Sequence, residues 1–380
     1  MFMRIEGHAR LLIVGALGAA ALLAQDAPLS SESVNIKFPT DYGVTLVSSS
    51  MGESRRQARG AALVLDLHMS LTLRNTNAKN IRGLTLRVVS QEVAPMGKGS
   101  VEFSGLNVAP NEAFPVRINM QLMRPMQMAG AQLVDVNLDG VLFGDLSFAG
   151  PDLLHSRRVM TAREMEAQRD REYFKRVLAQ SGTGGLQKAM LRTMAPQLNV
   201  RVRHGGPMVT EAALTAGERM ATFAFLDMPD SPVRPVSGYA VVSGNEARGP
   251  HIEVTNRSGR QIQYVELGWL VRDASGQQYL AASVPAADPQ LYLPPGKNAS
   301  VVQDTTLTIS RNDKPVNIQE MTGFVSLVQF ADGKVWVPTR QNLESTALDK
   351  LLPPSAEEQR LSDIYRRKGL TALVDELKKY

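Results

Sequence analysis

The sequence predicts a mainly β protein built as two tandem antiparallel β-sandwich units, each followed by a short amphipathic helical hairpin. Three observations lead there: short runs of alternating apolar residues bounded by turn residues, markers that recur in the same order in both halves, and helical apolar spacing confined to two segments. Many short strands without intervening long helices favour a sandwich over an alternating β/α fold.

The alternation is clearest at Val265, Leu267, Trp269 and Val271, which share one face of an extended chain, while Tyr264, Glu266, Gly268 and Arg272 share the other. A period of two marks a half-buried antiparallel strand. Val116, Ile118, Met120 and Leu122 repeat the pattern in the first half, with Arg117, Asn119 and Gln121 facing outward.

Four markers recur. Asn75-Thr-Asn77 before Ile81 matches Asn256-Arg-Ser258 before Ile262, an offset of 181 residues. Pro110-Asn111-Glu112 matches Pro295-Gly296-Lys297 as a proline-led turn. Asp139-Gly140 and Asp332-Gly333 each read as a hairpin turn between β-branched and aromatic residues. Gln168-Arg169 with Tyr173-Phe174 matches Gln359-Arg360 with Ile364-Tyr365, so the offsets run from 181 to 193. A recurring order of this kind is the signature of a duplicated unit.

Each unit ends in a helical tail. Leu361, Ile364, Tyr365, Leu370, Leu373, Val374 and Leu377 recur at helical spacing, with Gly369 where a helix stops and turns. Met165, Tyr173, Phe174, Val177 and Leu178 form the matching stripe, and the break is Ser181-Gly-Thr-Gly-Gly185. Both stripes are expected to dock onto a sandwich. The resulting division is an export signal at 1–24, sandwich units at 25–150 and 198–340, and helical tails at 151–197 and 341–380.

The succession of strand, Asn-x-Ser-type turn, strand, Pro- or Gly-led turn and further strand resembles small exported bacterial Ig-like modules of the FxLYD type. The likeness covers about 60 residues of each unit. It implies Ig-like sandwiches of the cell envelope, and it leaves the role open because fold does not set function.

Composition narrows the function classes. The 380 residues are 43% hydrophobic and 21% charged, ordinary for a globular chain with two cores. Lysine and arginine number 42 against 37 acidic residues, a small excess that bears on solubility and weak attraction to anionic surfaces. The absence of cysteine removes disulfides, thiolate nucleophiles and Cys-ligated metals. Arg4 and Arg10 precede an apolar run from Leu11 to Ala24, the pattern of a secretory signal peptide with cleavage after Ala24. Leu22 is large for the position it occupies in such a site, so an uncleaved N-terminal anchor is the alternative. No later segment is apolar enough to span a membrane, and nucleic-acid binding is not expected.

The candidate sites are few. His68, His155, His204 and His251 lie far apart, without the spacing of a helical zinc site. There is no Gly-x-Ser-x-Gly elbow, and Gly182 to Gly185 lacks the lysine of a phosphate loop. Met120, Met123, Met126 and Met128 place four of the chain's 17 methionines within nine residues. Met123, Met126 and Met128, near Pro125, are the soft-metal candidates for Cu(I), against the plainer reading of methionine as core filler. Trp269 reads as a core plug. Trp336, after the Asp332-Gly333 hairpin, is a candidate for surface interaction, as are Arg201 and Arg203, which alternate with Val200 and Val202 and guard a strand edge. Arg55, Arg56 and Arg59 form a second basic edge. Asn256-Arg-Ser258 and Asn298-Ala-Ser300 fit a glycosylation pattern. The sum is a non-catalytic exported protein that requires no cofactor and binds a protein or an envelope polymer. A soft-metal binder and an enzyme with a site assembled between the units are the alternatives.

Overall fold

A computed structural model describes residues 27–93, 96–126, 132–194, 201–204, 217–285, 291–302, 306–311 and 313–380, without the side chains of 201–204 and 281–285. The segment read as an export signal, and Met128 of the methionine cluster, lie outside the described residues.

The first half contains β1 (Ala27–Pro28), β2 (Val34–Lys37), β3 (Val44–Ser50), β4 (Arg55–Arg59), β5 (Ala62–Asn75), β6 (Ile81–Val89), β7 (Lys98–Val108), β8 (Ala113–Pro125), β9 (Val134–Phe143), β10 (Phe148–Ala149) and α1 (Ser156–Thr193). One sheet centres on β5, with β8 on one edge and β3 and β4 on the other. The facing sheet runs β7-β6-β9, and β9 also pairs with β10 and, in parallel, with β2. Leu65, Leu67, Leu71 and Leu73 from β5 meet Leu84, Leu86 and Val88 from β6 in a dry core. Full burial of each such leucine is worth about 1.5–3 kcal/mol.

The second half contains β11 (Arg201–His204), β12 (Arg219–Thr222), β13 (Ala224–Phe225), β14 (Val233–Ser243), β15 (Glu246–Asn256), β16 (Ile262–Arg272), β17 (Gln278–Pro285), β18 (Asn298–Val302), β19 (Thr306–Arg311), β20 (Lys314–Pro315), β21 (Glu320–Phe330), β22 (Val335–Trp336), α2 (Arg340–Ser345) and α3 (Ala356–Leu377). Its sheets repeat the same path. β15 occupies the place of β5 and pairs with β14 on one side and with β18 and β19 on the other. The facing sheet runs β17-β16-β21, and β21 takes β13 in parallel, as β9 takes β2. A second core surrounds Trp269, whose ring lies 4.5 Å from that of Phe223.

Two of the recurring markers form identical corners. Asn75 is fully buried; its Nδ2 donates to the carbonyls of Lys79 (2.9 Å) and Val108 (3.0 Å), and its Oδ1 accepts from the Asn77 backbone N–H. Asn256 does the same with Arg260 (2.8 Å), Leu293 (2.9 Å) and Ser258. The turn residues opposite, Asn111 and Gly296, both adopt left-handed backbone conformations and donate their N–H to the carbonyls of Asn75 and Asn256. A side-chain amide supplies two donors and an acceptor at one buried point, which settles backbone groups that strand pairing leaves open. The Asn256 amide is therefore committed to the core and unavailable as a glycosylation acceptor.

Three expectations are corrected. Asp139-Gly140 is not a hairpin: Asp139 is the extra residue of a bulge inside β9, where its buried carboxylate accepts from the N–H groups of Leu153 and Leu154. The hairpin matching Asp332-Gly333 lies at Gly144–Ser147, where Asp145 pairs with Lys79 as Asp332 pairs with Arg260. Secondly, β16 is buried on both faces, because helices cover the side carrying Tyr264 and Leu270. Thirdly, the helical stripes pack mainly against each other. Phe174, Leu186 and Met190 of α1 meet Leu361, Leu373 and Leu377 of α3 in a core of their own. Helix α3 breaks at Gly369 as expected, and in α1 the break expected over residues 181–185 narrows to Gly182 alone; the true helical offset is 187 residues, one turn short of the offset read from Gln168 and Gln359.

Replacing Asn75 or Asn256 with alanine strands buried carbonyls and an N–H. Each substitution is expected to lower unfolding stability in urea by about 2–4 kcal/mol. The exposed neighbour Thr76→Ala should cost less than about 0.5 kcal/mol, and equal effects would remove the corner's special role.

Candidate functional site

α1 is charged around most of its girth, and such a helix is stable when it bridges other elements. One face, through Glu164 and Arg171, looks toward the first sandwich and α3. The other, through Ala162 and Met165, packs on Tyr264, Leu327, Val335 and Val337 of the second sandwich. Arg158 adds a stacked contact, its guanidinium 3.6 Å from the Tyr264 ring centroid.

On the first face Arg171 is 3% exposed, and it donates to Glu164 at 2.6 Å and pairs with Glu357 of α3 at 3.4 Å. Arg82 of β6 approaches Glu164 at 3.6 Å, and Arg360 of α3 pairs with Glu357 at 2.8 Å and Glu376 at 2.5 Å. The guanidinium groups of Arg82, Arg171 and Arg360 also surround the Tyr380 ring at 4.7, 4.2 and 5.6 Å. Three parts of the chain meet in one largely dry network.

On the far side, Arg169 holds Asp170 through two bonds of 2.9 and 3.2 Å and donates to the Pro338 carbonyl. Arg340 of α2 stacks 3.9 Å over Tyr173 and pairs with Glu344 at 3.0 Å and Glu358 at 3.4 Å. Glu358 accepts in turn from the Ser355 N–H as the capping box of α3. Burial raises the carboxyls of Glu164, Glu166 and Glu358 above the usual carboxylate range, while neighbouring arginines pull them back.

Two cavities flank this network. The larger, about 870 Å³, lies between α1, β21, α2 and the strap leading to α3, with Glu166, Arg169, Phe324, Arg340, Leu343 and Leu352 among its walls. The smaller, about 250 Å³, is lined by Arg82, Met160, Glu164 and Arg360. Glu166 borders both.

No family model matches the sequence, and no curated protein matches it. Among solved structures, red sea bream transglutaminase is similar at 7% identity with a TM-score of 0.13, over 74% of this chain and 31% of that one. A β-glucosidase from Kluyveromyces marxianus shows 8% identity and a TM-score of 0.14, over 70% of this chain and 45% of that one. A two-domain protein of unknown function from Bacteroides fragilis has 7% identity and a TM-score of 0.14, over 74% and 93%. The chain thus spans less than half of the first two, and likenesses at this level carry no argument about fold or activity.

The sequence-derived candidates lie elsewhere. Met120 faces the first core, with its sulfur against Gly99, whereas Met123 is on the opposite face of β8 and Met126 is exposed just beyond it. Trp336 is partly buried between the second core and the Leu343–Leu348 cluster, and Trp269 is wholly buried. Arg201 and Arg203 are on β11, an edge strand paired with β19. Among the described residues no group of three His, Asp or Glu side chains is placed to hold a metal ion. The joint itself was not anticipated; its signal was the run Arg163-Glu-Met-Glu-Ala-Gln-Arg-Asp-Arg-Glu172, too charged for a helix docked by an apolar stripe alone.

Arg171→Met leaves Glu164 and Glu357 without their shared buried cation, so it should cost about 3–5 kcal/mol in urea unfolding. Adding Glu164→Gln should recover part of that loss; no recovery would deny the coupling. The pH dependence has a definite sign. A carboxyl whose value is raised by folding contributes stability that is full below the unfolded value and is lost as pH rises through the folded one. Glu164, Glu166 and Glu358 therefore make the urea midpoint higher at pH 5 than at pH 7.5, and the difference should shrink in Glu166→Gln. Carboxyls lowered by folding, such as Asp145 at about 2, act in the opposite sense but below this window.

Proposed function

We propose that the protein is a non-catalytic, exported component of the cell envelope or extracellular space that binds another protein or an envelope polymer. The observation that supports this reading is the use made of the buried charges. Arg82 with Glu164, Arg171 with Glu357 and Arg340 with Glu358 are paired across β6, α1, α2 and α3, and Arg169 reaches the Pro338 carbonyl beyond the second sandwich, so their chemistry serves to hold two sandwiches at one joint. Shifted carboxyls often signal catalysis, but ion pairs that join structural elements shift them too. The N-terminal Arg4, Arg10 and Leu11–Ala24 pattern supports export, and a chain without cysteine relies on its two apolar cores for stability in any compartment.

Export is tested by fusing residues 1–24 to alkaline phosphatase in a bacterial host. Reporter activity outside the cytoplasm, with a new N-terminus at Gln25 in the natural chain, is the expected result; a reporter held inside the cell overturns it. The edge strand β11 supplies a binding test. Wild-type protein should sediment with isolated anionic envelope polymer, and Arg201→Gln/Arg203→Gln should reduce the bound fraction several-fold at low salt. Equal sedimentation of the two would remove these arginines from the interaction.

A further inference from the structure

Of the charged residues lining the larger joint cavity, Glu166, Arg192, Asp349 and Lys350 take no part in the ion pairs of the joint, and of these Glu166 alone also borders the smaller cavity. Arg169 is taken by Asp170 and the Pro338 carbonyl, and Arg340 by Glu344 and Glu358. Glu166 is half-buried and forms no hydrogen bond or ion pair with any described residue, although it borders both cavities; the charges of Arg169 and Arg163 favour its carboxylate, and those of Asp170 and Glu266 oppose it. A carboxylate in such a place is costly until a proton or a cation reaches it. We propose that the cavity receives a single lysine or arginine side chain from a partner polypeptide, with Glu166 as its counter-ion.

The walls fit that guest. Phe324, Leu343, Leu352 and Pro338 are apolar and suit the methylene stem of a long basic side chain, whose charged head alone needs an ionic partner. A hard metal ion would ask for several free oxygen ligands, whereas Glu344 and Glu358 are already bound to Arg340, and Glu166 and Asp349 form no group of three such side chains among the described residues. About 870 Å³ is also larger than one side chain and leaves room for the flanking peptide. Arg192 and Lys350, both exposed at the cavity, disfavour a polybasic segment and favour a lone basic residue between acidic neighbours.

The proposal rests on the interaction reading only in taking the guest to be a polypeptide, and it is tested on the purified protein independently of export. The probe is a capped pentapeptide with one central lysine flanked by glutamates, titrated while the methyl resonances of Leu343 and Leu352 are followed. Saturable shifts are expected, with affinity at least tenfold weaker for the norleucine counterpart and for Glu166→Gln protein, and weaker at pH 5 than at pH 7.5 for wild type. Glu166→Gln should unfold at the same or a higher temperature than wild type, which separates lost binding from lost fold. Absence of saturable shifts, or equal affinity in Glu166→Gln, overturns the proposal and leaves the export result untouched.

Discussion

The arrangement of the molecule depends on one buried guanidinium. Arg171, almost wholly enclosed, is held between Glu164 on its own helix and Glu357 on α3. Removing an ion from water costs several kcal/mol, and only close, well-directed partners repay it. That requirement fixes how far α3 stands from α1, and through Arg82 and Glu164 it fixes both against the first sandwich. An apolar seam would tolerate sliding by a helical turn; a charge pair enclosed on all sides does not. The cavities at the joint follow from the same constraint, since helices held apart by paired charged side chains leave space that leucines would have closed.

The two sandwiches reach the same design through different residues. At the buried corners the asparagine is shared, yet the left-handed position opposite is Asn111 in one and Gly296 in the other, the two residue types that tolerate that backbone best. From the β9 and β21 bulges onward the correspondence holds at an offset of 187, through Asp145 and Asp332, Gly182 and Gly369, and Met190 and Leu377. The helical hairpins that result each expose an apolar stripe, and each covers the other's. What reads as two modules with separate tails is closed by the pairing of those tails.

Much of the fold was legible along the chain. Alternation placed Val116, Ile118 and Leu122 in the core, helical spacing found both tails, and Gly369 and the run at 181–185 marked the two breaks. Asp139-Gly140 misled because aspartate and glycine suit a bulge in a strand as well as a turn, and only the partner strand decides between them. Trp336 drew attention by its place after a hairpin and the methionines by their clustering, and neither reports where a side chain points. The joint escaped because its members, Arg82, Glu164, Arg171, Glu357 and Tyr380, come from three distant segments and each alone resembles a solvated surface residue.

The sequence by itself determined the local periods: where the chain is extended, where it is helical, where it must turn, and which apolar face each element has to bury. Those choices follow from side-chain volume, backbone freedom and hydrophobicity, which act between near neighbours. Only the tertiary structure decided what covers each face, that the tails meet one another, that β16 is enclosed on both sides, and that Glu166 is left at a cavity wall without a partner among the described residues. These are outcomes of long-range packing and of electrostatics in a dry interior, where the energy of a charge depends on groups that the chain order keeps far apart.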